Sequence, residues 1–363
     1  MISSLHFEFY IFGVVRPAII MDIQKFDNEW QRLKEQLTIN DKIIITTHLN
    51  PDGDAIGAVF GLYWYLKNEG KDARIIVPND YPEFLQWIPG NETVVNYSKN
   101  RGEANEFIKK AEVIFHLDYN DTKRSGELKD KLDKADAFKV MIDHHPLPQI
   151  VADIKISDTS VSSTCEMVLE LILLLGKTET IDIKVAESLY LGMMTDTGCF
   201  SFNSSNPRTF ELVSLLLKNG IRKDYIFRMV YDNFSMNRMR LMGYCLNEKM
   251  VIIPEYSTAF ISISLEEQKL FNFGIGDSEG FVNLPLSIKG ICFTALFIES
   301  ADKIKISLRS KGDFPVNIVA EKYFAGGGHS NAAGGESRMP LPETLAKFKS
   351  ILPLYEKELN SNQ

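Results

Sequence analysis

Acidic residues and histidines recur where short apolar runs of this sequence come to an end. Their order along the chain is His48, Asp52, Asp54, Asp118, Asp143, His144, His145 and Asp196. Imidazole nitrogens combined with carboxylate oxygens suit Mn²⁺, and less well Mg²⁺, Fe²⁺ or Zn²⁺. A single Asp after a strand is usually a turn former or a helix cap, so the repetition carries the prediction. The pattern predicts a site for divalent metal ions.

So many carboxylates in one place favour a site with two ions. Two ions about 3.5–4 Å apart can activate a bridging hydroxide. They need a carboxylate that contacts both, and their charge offsets the mutual repulsion that would raise the pKa values of clustered acids. The four cysteines are scattered, so neither a thiolate zinc site nor a disulfide is expected.

The apolar runs before these residues are typical of strands buried on both faces of a parallel sheet. They span 42–48, 73–77, 113–117 and 138–142, with helical stretches between them. Alternating strands and helices predict an α/β fold with a doubly wound, mainly parallel sheet. Ligands bind at the carboxyl ends of such strands, so one rim should gather the acids and histidines. The hydroxyl-rich segment 161–164 is expected to cap the helix after it.

After about residue 240 the pattern changes to that of a smaller α+β domain. A hairpin over 249–264 precedes strands at 291–298 and 304–308, a helix at 316–324 and a C-terminal helix at 341–359. We therefore predict a catalytic domain over 22–217, a linker over 218–245 and a second domain over 246–363, with the active-site cleft between the domains. Residues 1–21 are expected to form a disordered extension, with Met21 as an alternative start.

Composition limits the classes of function. The chain has 363 residues, of which 45% are apolar and 24% charged, as in soluble globular proteins of two domains. Its net charge of −8 excludes a long duplex nucleic acid as the partner but allows a small phosphate ligand in one pocket. No segment has the length and apolar character of a membrane span, so we expect a cytoplasmic protein without a membrane partner.

A glycine cluster in the second domain is a candidate anion site. Three consecutive glycines, 326–328, precede His329, and Arg309-Ser310-Lys311 closes a strand upstream. Consecutive glycines let backbone N–H groups approach an anion, and a helix starting after them would add a favourable dipole. His329 could donate to a phosphate or a terminal ribose. The alternative is that the glycines only cap the preceding helix.

The motif His48-Leu-Asn-Pro-Asp52-Gly-Asp54, together with Asp118, Asp143-His-His145 and Asp196, resembles the DHH phosphoesterase superfamily, which takes its name from the Asp-His-His triplet. The resemblance covers roughly residues 25–355. It implies that one ion is held by His48, Asp52 and Asp118, and the other by Asp54, Asp118, His144 and Asp196. Asp118 would be the bridge, although nearby Asp121 is an alternative. Asp143 would orient the histidines beside it, and His145 would contact the scissile phosphate.

Arg309-Ser310 and the glycine cluster resemble the DHH-associated C-terminal domain, whose Gly-Gly-Gly-His motif binds the substrate end. The resemblance implies a role in substrate binding for Arg309, Ser310, Gly327, Gly328 and His329. It disfavours the family-II pyrophosphatase branch, which has a different C-terminal domain.

A two-domain chain of this size is similar to the bacterial oligoribonuclease and pAp-phosphatase type. The resemblance implies a phosphoric ester hydrolase with two divalent ions, Mn²⁺ being expected and Mg²⁺ the alternative. Its substrates would be RNA of a few nucleotides or 3′-phosphoadenosine 5′-phosphate (pAp). A cyclic-di-AMP or pApA phosphodiesterase is the alternative activity, while length and charge disfavour a RecJ-type exonuclease. A catalytically inactive nucleotide-binding regulator would lack metal ligands, and all are present. The oligomeric state is left open, a homodimer included.

Overall fold

The computed structural model describes residues 26–176 and 180–361. The predicted extension, 1–21, lies outside the described residues. None of the helices in the described part of the chain combines the length and the apolar character that crossing a lipid bilayer requires.

The first sheet is parallel throughout, as predicted. Its strands are β1 Lys42–Thr46, β2 Asp72–Val77, β3 Val95–Asn96, β4 Val113–Leu117, β5 Phe138–Asp143 and β6 Ile154–Ser157. Their spatial order is β3-β2-β1-β4-β5-β6. From β1 to β3 each successive strand is therefore added on one side of β1, and from β4 to β6 each is added on the other side. The switch point lies between β1 and β4, which is where an open α/β sheet binds its ligand.

Helices cover both faces of this sheet. They are α1 Asp27–Ile39, α2 Gly53–Asn68, α3 Arg101–Lys110, α4 Lys129–Lys134, α5 Thr164–Leu174, α6 Ile183–Asp196 and α7 Pro207–Lys218. Ile43, Ile44 and Ile45 of β1 are almost fully buried, because residues of a central parallel strand meet helices on both sides. Helices α2, α5 and α6 pack together on one face and build the larger hydrophobic core.

Two further helices, α8 Lys223–Tyr231 and α9 Met236–Tyr244, occupy most of the predicted linker. Each begins after a polar residue, and the Ser235 hydroxyl caps α9 by accepting from the Arg238 amide. The limits drawn for the domains and the linker stay a prediction.

The second sheet has the order β11-β12-β10-β9-β8-β7. Its elements are β7 Val251–Ile253, β8 Thr258–Ile263, α10 Leu265–Leu270, β9 Phe293–Glu299, β10 Ile304–Ser310, α11 Val316–Tyr323, β11 Gly327–His329, β12 Ala332–Ser337, α12 Leu341–Ile351 and α13 Glu356–Ser361. Its strand pairs are antiparallel except for β8 with β9. The α/β domain and the smaller α+β domain confirm the predicted fold class.

Two local expectations in the second domain were wrong. The predicted C-terminal helix is broken between α12 and α13 by a 3₁₀ turn over Leu352–Tyr355, since Pro353 has no N–H to continue the helix. No helix starts after the glycine cluster, because Gly327–His329 pairs with β12 as a strand. Of the three glycines, Gly326 is the one that caps the preceding helix, because its N–H donates to the Ala320 carbonyl at 3.1 Å.

Candidate metal centre and interdomain cleft

The acids and histidines gather at the carboxyl edge of the first sheet, on the sequence segments that the apolar runs indicated. His48 follows β1, Asp118 follows β4 directly, and Asp143 ends β5 before His144 and His145. The loop after β1 continues into α2, whose N-cap is Asp52 and whose first turn holds Asp54. Asp196 is the last residue of α6. The rim and the helix ends therefore deliver every predicted metal ligand to one place.

Asp118 lies at the centre of this cluster. Its Oδ2 is 3.4 Å from Nε2 of His48, and its Oδ1 is 3.6 Å from Nε2 of His144. The backbone of Asp118 is in the left-handed region, at φ 64°, which is uncommon for a residue other than glycine. Such strain is concentrated at functional sites, where the surrounding structure holds it in place. The two oxygens of one carboxylate thus face two histidines that follow different strands.

His144 faces two further carboxylates besides Asp118. Its Nε2 is 3.8 Å from Oδ2 of Asp54 and 3.5 Å from Oδ2 of Asp196. On the other side of the cluster, His48 Nε2 is 3.9 Å from Oδ2 of Asp52. All of these separations are long for a hydrogen bond. The cluster is therefore wider than a direct hydrogen-bond network would make it.

The donor atoms are spaced as neighbouring ligands of one cation would be. Ligands at 2.0–2.2 Å from an ion lie about 3–3.6 Å from one another, depending on the coordination angle. The triads His48–Asp52–Asp118 and Asp54–Asp118–His144 each place their donor atoms within 4.8 Å of one another. Nε2 of His48 is buried without a hydrogen-bond partner within residues 26–176 and 180–361, which normally costs stability. The residues present therefore fit divalent ions.

The carboxylates are held close against their own repulsion. Burial raises the pKa of Asp54 well above its ordinary value, and the charges of Asp118 and Asp196 raise it further. Burial and the nearby Asp52 and Asp118 do the same to the pKa of Asp196. Burial also works to raise the pKa of Asp118, but the nearby His48 and His145 lower it below the usual range. A cation among these groups would relieve the repulsion.

The first turn of α5 positions two of the acids. The Thr164 and Cys165 amides donate to Oδ2 and Oδ1 of Asp54 at 2.7 and 2.9 Å. The Thr164 hydroxyl donates to Oδ1 of Asp118 at 2.9 Å. Ser163 caps the helix, as expected, by accepting from the Glu166 amide. The contacts of Thr164 with the cluster were not predicted, since they join residues far apart in the sequence.

The expected partner of the histidines, Asp143, contacts one of them. Its Oδ1 is 2.7 Å from Nδ1 of His145. Nδ1 of His144 is buried and has no hydrogen-bond partner in the described part of the chain. The alternative bridging residue, Asp121, lies outside the cluster and instead caps the next turn, where it accepts from the Lys123 amide at 2.9 Å. The structure therefore brings Asp118, and not Asp121, between the two histidines.

The second domain completes the site with an imidazole. The His329 ring lies 5.0 Å from that of His144 and 4.9 Å from that of His145, measured between centroids. Burial, together with the nearby His144 and His145, lowers the pKa of His329 to about 3. Nε2 of His329 is buried without a partner in the described residues. One strand of the second sheet thus reaches the metal-ligand cluster of the first.

The other predicted substrate-binding residues divide into two groups. Arg309 faces the cleft and lies within the electrostatic reach of Asp196 and Asp52, although burial lowers its pKa. The Ser310 hydroxyl instead donates to the Phe314 carbonyl at 2.6 Å and accepts from Asn331, so it is engaged inside its own domain. Gly327 and Gly328 are half-buried on β11. Arg309 therefore lines the cleft, while His329 lies against His144 and His145.

The cleft between the domains has a volume of about 910 Å³. Asp52, Asp54 and Asp196 line it from the first domain, and Arg309 lines it from the second. Sequence reasoning missed a set of aromatic residues and one arginine along the same walls, namely Phe84, Phe202, Phe234, Phe273 and Arg238. These residues share no motif in the sequence, so only the fold shows that they face one cavity.

An open α/β sheet with a His and Asp cluster at its switch point, faced by a second domain, defines a two-domain phosphoesterase. The profile of the DHH family, N-terminal domain, matches residues 42–193, and that of the DHHA1 domain matches residues 269–357. A relative from Thermus thermophilus, named bifunctional oligoribonuclease and PAP phosphatase NrnA, is 30% identical over 297 residues, which are 82% of this chain and 84% of the relative. This chain belongs to the DHH family of phosphoesterases.

Two further comparisons agree with this placement. The crystal structure of an exopolyphosphatase-related protein from Bacteroides fragilis has a TM-score of 0.87 and 43% identity, and the match covers 92% of this chain and 98% of that one. The cyclic-di-AMP phosphodiesterase GdpP of Bacillus subtilis is 26% identical over 89% of this chain. That match spans 49% of the relative.

Proposed function

We propose that this protein hydrolyses the phosphoester bonds of short oligoribonucleotides and of pAp. The observation that carries the proposal is Asp118, whose two oxygens face His48 and His144 in a cleft that the second domain closes with His329. The relative from Thermus thermophilus carries both activities in its name and is matched over most of its length. A cleft of about 910 Å³ suits a few nucleotides and not a long strand.

Two divalent ions are part of this proposal, with Mn²⁺ expected and Mg²⁺ the alternative. One ion would be held by His48, Asp52 and Asp118, and the other by Asp54, Asp118, His144 and Asp196. When bound, the ions supply activation of water and stabilisation of negative charge on the phosphoryl oxygens. The hydrogen bonds from the first turn of α5 hold Asp54 and Asp118 in orientation for this role.

The remaining residues bind and orient the substrate. His145, fixed through Nδ1 by Asp143, would contact the scissile phosphate through its other nitrogen. Arg309 supplies a cation across the cleft and would hold a second phosphate, since a guanidinium binds phosphate in a two-pronged geometry. His329 would donate a neutral hydrogen bond to the same end of the substrate. Ser310, Gly327 and Gly328 would shape the backbone around that end.

The domain limits of 22–217 and 246–363 and a cytoplasmic location also belong to the proposal. The matched family profiles lie inside the two proposed domains. All four cysteines are free thiols, as expected of a reducing compartment. Cell fractionation with an antibody against the chain would test the location, and recovery in the membrane pellet would contradict it.

The deciding assay compares substrates under identical conditions. The full chain with Mn²⁺ is given 5′-phosphorylated RNAs of two to five nucleotides, pAp, pApA and cyclic-di-AMP, and the released products are separated by chromatography. We expect mononucleotides from the RNAs, AMP from pAp, and no turnover of any substrate in EDTA. Faster hydrolysis of cyclic-di-AMP or pApA than of the other substrates would favour the alternative phosphodiesterase. No hydrolysis at all would favour the inactive nucleotide-binding regulator.

A further inference from the structure

One arginine of the predicted linker lies in the cleft without a partner of opposite charge among the residues that the structure describes. Arg238 on α9 has a relative exposure of 7%, yet it lines the same cavity as Asp52 and Arg309. Other arginines of this protein that contact a buried carboxylate form ion pairs, such as Arg208 with Glu170 at 2.7 Å. Asp277 and Glu279 influence Arg238 only through longer-range attraction.

The surroundings of Arg238 hold its guanidinium in place without neutralising it. The guanidinium carbon lies 3.5 Å from the centroid of the Phe234 ring and 5.2 Å from that of Phe281. One nitrogen, Nη2, donates to the Glu279 carbonyl at 2.8 Å. Nε is buried and has no hydrogen-bond partner in the described part of the chain. Burial lowers the pKa of Arg238, which shows the cost of removing this cation from water.

A buried, oriented and unpaired guanidinium in a nucleotide-sized cleft is suited to binding an anion. The cavity of about 910 Å³ is near the upper end of the usual range for small-molecule sites, about 300–1,000 Å³, and has room for more than one nucleotide. The aromatic ring of Phe234 beside the cation adds a surface on which a base can stack.

We propose that Arg238 is an additional anion subsite, which binds a phosphate of the nucleotide chain other than the scissile phosphate and the one held at Arg309. This inference rests on the proposed function. A compound with two phosphates, such as pAp, would fill the first two positions only. A 5′-phosphorylated trinucleotide has three phosphates and would also reach Arg238. The subsite therefore selects for short chains over single nucleotides.

The kinetic test compares two substrates in matched variants. For Arg238→Met, we expect the ratio of kcat/KM for pApApA to kcat/KM for pAp to fall at least tenfold. Arg240→Met is the control, because Arg240 is an exposed arginine on the same helix, and its ratio should equal that of the wild type. An equal loss on both substrates would show that Arg238 has only a structural role. An unchanged ratio would also overturn the subsite.

Two further measurements keep the result decisive. Arg238→Lys retains the charge but loses the planar fork, so a severalfold fall in the ratio is expected even if Arg238→Met does not fold. Equilibrium binding of pApApA with phosphorothioate linkages, against pAp, needs no turnover. Suppose that no substrate is hydrolysed in the kinetic test, but the wild type binds pApApA more tightly than pAp and Arg238→Met loses this preference. The proposed function would then fail and the subsite would stand. Equal binding by the wild type and Arg238→Met would refute the subsite.

Discussion

The hydroxyl of Thr164 offers a sharp test of how the metal centre is positioned. Thr164 and Asp118 are both buried, at 0% and 2% exposure, and the hydroxyl donates to Oδ1 of Asp118 at 2.9 Å. Thr164→Val keeps the shape of the side chain and removes this donor. Oδ1 is the oxygen that faces His144, so the change acts on the bridging carboxylate while leaving every proposed ligand in the chain.

The size of the effect follows from the type of bond. A hydrogen bond to a charged group contributes about 1.5–3 kcal/mol, and each 1.4 kcal/mol corresponds to a factor of ten. Thr164→Val should therefore lower kcat, or raise the Mn²⁺ concentration needed for half-maximal activity, by about 10- to 100-fold, the usual range for partners of metal ligands. Thr164→Ser retains the hydroxyl and should stay within a few-fold of the wild type.

The assay is hydrolysis of pAp over a Mn²⁺ titration, with the thermal midpoint of unfolding measured on the same samples. Thr209→Val is the matched control, since the Thr209 hydroxyl is also fully buried and donates to the Glu166 carboxylate at 2.9 Å, outside the metal centre. It should lower the midpoint without changing the Mn²⁺ dependence. If both variants changed activity alike, or if Thr164→Val matched the wild type at all Mn²⁺ concentrations, Thr164 would not position Asp118.

The remaining predictions address the bridge, the substrate cation and pH. Asp118→Asn should abolish both hydrolysis and the Mn²⁺-induced rise in thermal midpoint, and normal Mn²⁺-dependent turnover would contradict the bridging role. Arg309→Ala should raise KM for pAp more than it lowers kcat, because Arg309 belongs to the second domain and is not among the proposed metal ligands, and an unchanged KM would count against the cleft. Burial works to raise the pKa of Glu187, but hydrogen bonds from Arg222 outweigh this effect. The pKa of Glu187 is therefore lowered from its ordinary value. Because the pKa is lowered in the folded state, the ion pair of Glu187 with Arg222 stabilises the fold above about pH 4.5, and this stabilisation is lost in acid. Glu187→Gln should therefore lower the free energy of unfolding by about 1 kcal/mol at pH 7 and by less as the pH falls. Urea unfolding at several pH values would measure this.

The parallel sheet and the acids and histidines at its edge could be predicted from local sequence. Buried parallel strands are continuous apolar runs, and polar residues mark where they end. His48, Asp118 and Asp143 follow this rule directly. Thr164 could not be assigned in this way, since its contact with Asp118 joins residues 46 positions apart. Arg238 and Phe234 were hidden for a related reason. They lie in a segment whose composition indicates only a connection between domains.

The glycine cluster shows a different limit. The backbone freedom of the glycines predicts that another group approaches them closely, but it does not predict which group. In the structure the approach is to the neighbouring strand, since a Cβ on Gly326 would lie 1.9 Å from the Gly334 carbonyl oxygen. The strand pairing then carries His329 to the metal centre. Sequence reasoning selected His329 as a candidate and misjudged the element that positions it.

Beneath the metal centre, α2, α5 and α6 meet at a point with no space for one more methyl group. A Cβ on Gly192 of α6 would lie 2.1 Å from the Cys165 sulfur and 2.8 Å from Oδ1 of Asp54. Because protein interiors are close-packed, any larger residue there would displace the carboxylate along with its neighbours. The packing of the hydrophobic interior and the position of the proposed metal ligands therefore depend on each other. A larger residue at position 192 is therefore expected to disturb the core and the Asp54 carboxylate together.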